Sequence, residues 1–387
     1  MQFELIVDFI FSLALLLSVT YTILMTYISI KRIKGINRSA IKTVPSAKGI
    51  SILKPLKGVD DDIEKNLRSF FELEYPDFEI LFGVIDLQDP AINIVNKLIN
   101  EYPDVNVKMI ADRTQEGLNP KINNLQNIFS HVTKDYILIS DSNTRVKPDY
   151  LSRIISEMNE PETGLVISVL RASGAQNWIA AMENLHINSY VTPNVFTVNK
   201  LFRRNITIGK SMLLSKEIML KMGGFAIFSN YLAEDYMIAK TVEKMGYRTI
   251  FCDAYIDTIN QEWTLGQFLN RHSRWAKMRK NISIKDYLME TLANPVAVSV
   301  VFALVSQEPY AFITSFFIMF FKILNDMIIN IQLGAKTKPY YYLLTPLKDL
   351  LTGTFWYIPF FSRKINWRGN LFYIGQQTIL TKYWGAV

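Results

Sequence analysis

Asp141-Ser142-Asn143 follows directly on Tyr136–Ser140, an apolar, β-branched run that reads as a buried strand. Ligands of open parallel sheets gather beyond the carboxyl ends of the strands. A carboxylate placed there can hold a divalent cation, and the cation a diphosphate. An aspartate at such a turn also suits a helix cap, and the stretch alone leaves both readings open. Asp86 ends the strand Phe78–Ile85 in the same manner. Glu234-Asp235 open the helix Ala233–Met245, where the macrodipole by itself favours carboxylates. Along the helix Gln267–Lys277, the spacing puts Gln267, Arg271, Arg274 and Trp275 on one face.

The elements that must position these residues alternate from Gly49 to about Glu262. Ile50–Leu53, Phe78–Ile85, Val105–Ile110, Tyr136–Ser140 and Gly164–Leu170 read as strands. Between and after them, Asp60–Leu73, Pro90–Tyr102, Pro120–His131, Pro148 to Met158 and Trp178–Asn188 read as helices, and Asn205–Ser215 as a further strand and turn. Strand–helix alternation of this kind predicts an α/β fold, a mostly parallel sheet with helices on both faces. Asp86 and Asp141 then stand on one edge of the sheet.

The chain is 49% hydrophobic over 387 residues, which leaves room for membrane segments beside a soluble domain. Leu5–Ile30 is long enough for a bilayer core that takes roughly 20 residues. Acidic Glu4 and Asp8 at its start and the lack of a small-residue cleavage pattern argue against a signal peptide. Lys31-Arg32-Ile33-Lys34, Arg38 and Lys42 follow, so the positive-inside rule puts the downstream domain in the cytoplasm. Met289–Val305 and Tyr310–Leu333 are expected to be membrane segments. Lys322 and Asp326, one helical turn apart in the second, either neutralise each other or face protein or a polar groove. Tyr340–Phe361 spans, re-enters or lies along the interface. The tail, with Arg363, Lys364 and Arg368 beside Trp367 and Tyr373, has the composition of an interfacial anchor. The expected division is a signal anchor over 1–32, a basic linker over 33–48, a cytosolic domain over 49–283 and a membrane region over 284–387.

The formal charge of +7 suits a membrane surface or a phosphate-bearing ligand. No Lys/Arg stripe with interleaved aromatics and no zinc-finger spacing is present, which excludes nucleic acid as the expected partner. Cys252 is the only cysteine, so an intrachain disulfide and a cysteine metal site are ruled out.

Several short stretches share their order and spacing with one known family. They are Leu53–Asp60 (LKPLKGVD), Phe70–Pro76 (FFELEYP), Asp86–Ala91 (DLQDPA), Asn119–Leu125 (NPKINNL), Asp141-Ser142-Asn143 with Arg145-Val146, Ala233–Tyr236 (AEDY) and Arg271–Trp275 (RHSRW). Together they resemble the ceramide glucosyltransferase family from about Gly49 to Lys280, with the hydrophobic layout at both ends and Trp367-Arg368-Gly369 in the tail. The resemblance implies an inverting glycosyltransferase of the GT-A type, working at the cytosolic membrane surface of a bacterial inner membrane or of Golgi or ER. By the same resemblance Asp86 contacts the nucleotide base, and Asp141 approaches the diphosphate and a divalent metal, Mn2+ or Mg2+. Asp235 is implied as the catalytic base, while Arg271, Arg274 and Trp275 fill the (Q/R)xxRW motif that serves the diphosphate and the acceptor. Lys121 is expected on phosphate or as a solvated helix-start lysine; Asp60 touches the nucleotide or caps a helix.

Chemistry agrees with those roles. A nucleoside diphosphate leaving group gains negative charge as the sugar bond breaks, and cations stabilise that charge where it develops. An acceptor hydroxyl needs a base within hydrogen-bond reach. Two departures stand out: Leu185–Val195 (LHINSYVTPNV) lacks the His-Pro-Arg pattern of animal members, and Asn143 replaces a second aspartate. The stretch around Tyr190 is more similar to bacterial relatives linked to hopanoid glycosylation. Glucose transfer from UDP-glucose to ceramide is the leading expectation. The alternatives are N-acetylglucosamine or galactose as the sugar, hopanoid or diacylglycerol as the lipid, and a polysaccharide synthase.

Overall fold

The structure, a computed structural model, describes residues 2–40, 48–204, 206–367 and 369–383, so Lys42 and Arg368 of the basic stretches lie outside the described residues. The centre is an eight-stranded sheet made by β1 (Ile50–Pro55), β2 (Phe78–Val84), β3 (Val107–Ala111), β4 (Tyr136–Ser140), β5 (Thr144–Arg145), β6 (Thr163–Ser173), β7 (Ser211–Ser215) and β8 (Arg248–Ile259). The strand order is β3-β2-β1-β4-β7-β6-β8-β5. β1 to β4 pair in parallel, as do β6 and β8, while β7 runs antiparallel to both β4 and β6. β8 is absent from the apolar-run reading because Asp253 and Asp257 alternate with buried Cys252, Ala254 and Ile256; the acidic face pairs with Arg32 of the first helix and with Arg171 rather than with apolar side chains.

Helix α1 (Gln2–Arg38) precedes the sheet, and α2 (Ile63–Phe71), α3 (Ala91–Glu101), α4 (Pro120–Phe129), α5 (Tyr150–Ser156), α6 (Trp178–His186), α7 (Thr192–Phe202), α8 (Lys216–Lys221) and α9 (Glu234–Lys244) pack around it. Residues of α2, α3 and α5 share a core with Ile50, Ile52, Ile80 and Leu138. Those of α4, α8 and α9 share another with Leu53, Leu81, Ile137 and Ile139. Successive side chains of a strand point to opposite faces, so an unbroken apolar run seeds both cores at once. That is the predicted α/β arrangement with helices on both faces. Between α6 and α7 the helix passes through a π-turn at Ile187–Val191.

The chain closes with α10 (Leu265–Ile282), α11 (Ile284–Met289), α12 (Pro295–Ser306), α13 (Pro309–Leu333), α14 (Thr345–Phe355) and α15 (Ile358–Phe361). Asp8–Arg38 within α1, and α13, are long and apolar enough to cross a membrane. Met289–Val305, expected as one segment, is broken: the helical stretch ending at Ala293 meets α12 at 78°. Pro295 lacks the N–H that a continuous helix needs, and Asn294 caps the new helix by accepting the Ala297 N–H at 3.0 Å. Within Tyr340–Phe361, α14 has 11 residues and extends only about 16 Å, short of a bilayer core. Lys322 and Asp326 do pair, and they meet α14, where Lys348 lies 2.8 Å from Asp326 and 3.0 Å from Asp349. The four charges neutralise one another inside the protein rather than facing lipid.

The tail forms a three-stranded antiparallel sheet, β9 (Lys364–Trp367), β10 (Asn370–Ile374) and β11 (Leu380–Lys382). Ile365, Phe372, Ile374 and Leu380 are buried with Leu232 of the central domain, and Trp367, expected at a membrane interface, packs against them.

Candidate functional site

A cleft of about 930 Å³ opens at the carboxyl ends of β1, β2 and β4, and Asp60, Asp86, Lys121, Asp141, Asp235, Arg271, Arg274 and Trp275 all line it. Asp86 is exposed at the end of β2, where its Oδ1 accepts the Gln88 N–H at 3.0 Å. Asp60 accepts a hydrogen bond from the Ser142 hydroxyl, which ties the loop after β1 to the turn after β4. It caps no helix, because the residue before α2 is Asp62. Nor does Asp141 cap one: the next helix is α5, preceded by Asp149.

Asp141 is instead gripped by two ammonium groups. Lys121 Nζ lies 2.9 Å from Oδ1 and Lys210 Nζ 3.1 Å from Oδ2. Lys121 also pairs with Glu234 at 3.0 Å, and Lys210 donates to Asn143 Oδ1 at 2.6 Å. Local structure explains the first lysine: Asn119 caps α4 through Oδ1, accepting the Lys121 N–H at 2.9 Å, so the side chain leaves the helix's first turn toward the cleft. Register explains the second. β7 runs antiparallel to β4 with Ser211 opposite Ser140, so the residue before β7 meets the residue after β4. Behind them Lys54, fully buried, donates to the Asp141 carbonyl at 2.9 Å and lies 3.4 Å from the centre of the Phe70 ring.

Electrostatics follow from that packing. Burial opposes the charge on Asp141, but Lys121 and Lys210 outweigh it and hold the carboxyl well below the usual range. Burial also opposes the Lys121 ammonium, yet Asp141 and Glu234 raise its pKa above the ordinary value. For Lys210 burial prevails, and the pKa is lowered despite Asp141. Asp235 differs. Burial first, then the neighbouring Glu234, push its carboxyl up to about 6, against Lys121 and two backbone N–H groups. Those donors are Gly209, 2.7 Å from Oδ2, and Tyr236, 2.8 Å from Oδ1.

Arg271 lies between the rings of Trp263 and Trp275, at 5.0 and 4.3 Å from their centres, and 3.3 Å from Glu183 of α6. Glu183 is fully buried and also accepts from His272 Nε2 at 2.9 Å. Burial would raise its pKa, but Arg271 and His272 prevail and lower it. Arg274 stands over the Trp367 ring at 5.7 Å. Gln267, on the same helix, serves a capping box with Thr264 at the start of α10.

Sequence reasoning thus misses Lys210 and Glu183, and it names Trp367 without placing it in the cleft. A lysine just before an apolar run is a signal for Lys210 only if the antiparallel pairing of β4 and β7 is already known.

Among the described residues, no three His, Cys, Asp or Glu side chains converge on a metal position. A hard cation bound with a diphosphate needs only one or two carboxylates, since phosphate oxygens and water complete its shell. Asp141, ionised and lining the cleft, is the carboxylate that would meet that smaller requirement, and a cation there would share its oxygens with Lys121 and Lys210.

Residues 10–380 match the family model of glycosyl transferase family 21. The chain is 27% identical to ceramide glucosyltransferase 3 of Caenorhabditis elegans over 86% of its own length and 74% of the relative's. It is 31% identical to ceramide glucosyltransferase 1 of the same organism over 63% of this chain and 52% of that one. With the ceramide glucosyltransferase of Komagataella phaffii it shares 27% identity over 65% and 61%. A solved mannosyltransferase from Pyrobaculum calidifontis, in complex with GDP-Man and Mn2+, aligns at a TM-score of 0.49 and 14% identity over 89% of this chain and 98% of that one.

Proposed function

Because this chain belongs to glycosyl transferase family 21, we propose that it transfers glucose from UDP-glucose to the hydroxyl of ceramide, with inversion, forming glucosylceramide at a membrane surface. The observation that carries the reading is one cleft holding a carboxylate of raised pKa, Asp235, beside a fixed cationic array. Asp235 takes the proton of the attacking hydroxyl; with a pKa near 6 it is ionised at neutral pH yet basic enough to accept one. Lys121, Lys210, Arg271 and Arg274 face the diphosphate, and their charges meet the negative charge that grows on the leaving group. Asp86 and Asp60 hold the nucleoside, and Trp275 borders the acceptor. A divalent cation, Mn2+ or Mg2+, held by Asp141 with the donor's phosphates would add Lewis-acid stabilisation to that leaving group.

A single displacement requires one base and no carboxylate nucleophile. Glu234, the nearest other acid, is engaged by Lys121 and by Asn119, whose Nδ2 lies 3.3 Å away, which supports inversion. The basic residues Lys31, Arg32 and Lys34 near the end of α1 favour a cytoplasmic site. A second reading keeps the reaction and changes the acceptor to a hopanoid, motivated by the Leu185–Val195 stretch, which departs from the animal His-Pro-Arg pattern. Membranes containing the protein, given labelled UDP-glucose and ceramide, should form labelled glycolipid. No more product than from Asp235→Asn would sink the reading, and a panel of donors and lipids separates the two acceptor classes.

A further inference from the structure

The loop that delivers Asp235 is held from two sides. On one, Asn119 Nδ2 donates to the Tyr231 carbonyl at 2.7 Å, and the Asn119 N–H donates to the Ser229 carbonyl at 2.7 Å. On the other, the partner comes from the far end of the chain. The Leu232 N–H donates to the Thr378 carbonyl at 2.9 Å, and the Leu380 N–H to the Asn230 carbonyl at 2.7 Å. Tyr231 and Ile379 form an isolated antiparallel bridge. The Ala233 N–H donates to Thr378 Oγ1 at 3.2 Å. Ala233 immediately precedes α9 and offers no side-chain cap, and Asp235 is the second residue of that helix.

Thr378 occupies this position at a conformational cost. Its φ is 67°, after Gln377 at 52°, in the left-handed region that β-branched residues avoid. It is also fully buried. Strained residues persist where the surroundings over-determine them, and glycine would adopt this backbone more readily. What threonine supplies and glycine lacks is Oγ1, the acceptor for a buried N–H at the start of α9.

We propose that Thr378 is a positioning residue for Asp235: the C-terminal sheet sets the start of α9 and thereby the place of the carboxylate in the cleft. The proposal rests on the reading of Asp235 as the base. The same sheet reaches the opposite side of the site, since Trp367 and Asn370 line the cleft and Trp367 underlies Arg274. One folded unit therefore touches both the segment leading into the base's helix and the cationic face.

The test uses the full chain in membranes with Thr378→Gly, Thr378→Ser and Asp235→Asn, reading kcat, donor KM, UDP binding and thermal unfolding. Thr378→Gly should unfold at the same or a higher temperature and bind UDP normally, while kcat falls about tenfold or more. Thr378→Ser, which keeps the acceptor, should recover kcat to within about threefold of wild type. Wild-type kcat in Thr378→Gly, with Asp235→Asn inactive, would overturn the proposal and leave the base reading intact. A kcat loss that tracks a lower unfolding temperature and is not recovered by serine would make Thr378 structural only and overturn it too. Wild-type kcat in Asp235→Asn would remove the base reading itself.

Discussion

Gly209→Ala probes the place of Asp235 from the side opposite Thr378. The Gly209 N–H donates to Asp235 Oδ2 at 2.7 Å, so backbone and carboxylate are in direct contact. A Cβ on Gly209 would lie 2.6 Å from Asp235 Cβ, 2.9 Å from Oδ2 and 3.1 Å from Cγ. Carbon atoms pack at about 3.5–4.0 Å, so the aspartate has to retreat by roughly 1 Å. Gly209 has no left-handed φ, so alanine fits the backbone and the perturbation is steric. Misplacing a catalytic group by about 1 Å costs on the order of 100-fold in rate, or about 2.7 kcal/mol of transition-state stabilisation. Overpacking also destabilises the fold, by about 1–3 kcal/mol, and thermal unfolding reads that effect separately. The assay is glucosyl transfer from labelled UDP-glucose at saturating ceramide, with UDP binding measured alongside. Expected are a large fall in kcat and little change in UDP affinity, because the residues proposed for the diphosphate, Lys121, Lys210, Arg271 and Arg274, are left in place. A folded Gly209→Ala protein with kcat within about twofold of wild type would refute the reasoning.

Three further outcomes follow from the same geometry. Asp235, pushed up to about 6 by burial and Glu234, must be ionised to act, so kcat/KM should fall about tenfold per pH unit below that value; a profile flat to about pH 5 would contradict it. An ordinary aspartate titrates near 3.9, so between about pH 4 and 6 the folded state holds a proton that the unfolded chain has lost. Asp235 therefore destabilises the fold as pH rises through that window, and Asp235→Asn should unfold above wild type at neutral pH. Lys210→Met removes one of the two ammoniums on Asp141 and leaves Lys121 in place; UDP affinity measured by calorimetry should drop about tenfold, and an unchanged affinity would put the diphosphate elsewhere. Glu183→Gln leaves the Arg271 guanidinium without its buried counter-charge; the fold should lose about 3 kcal/mol, and an unchanged denaturant midpoint would exclude that role.

Much of the site is legible because its parts end local elements. Asp86 and Asp141 each terminate an apolar run, and Tyr136–Ser140 appears as β4 with the same limits. Arg271, Arg274 and Trp275 follow from helical spacing on α10. Lys210 is hidden because its neighbour Asp141 is distant in sequence, and only the β4–β7 register joins them. Glu183 is hidden by its surroundings: it is fully buried in α6 beside Asn184 and His186, and only α10 supplies Arg271 and His272.

Local patterning by itself determined an alternating α/β chain with carboxylates at the strand ends and apolar helices at both ends. Periodicity and turn chemistry act over a few residues, so they can be read along the chain. Tertiary structure alone decided that Asp141 lies between two lysines and that α12 turns away from the helix before it. It also decided that the tail folds as a sheet against the loop that leads into the helix of Asp235. Those arrangements depend on pairing and burial between residues far apart in sequence, where many partners satisfy the same local pattern and only the packed fold selects one.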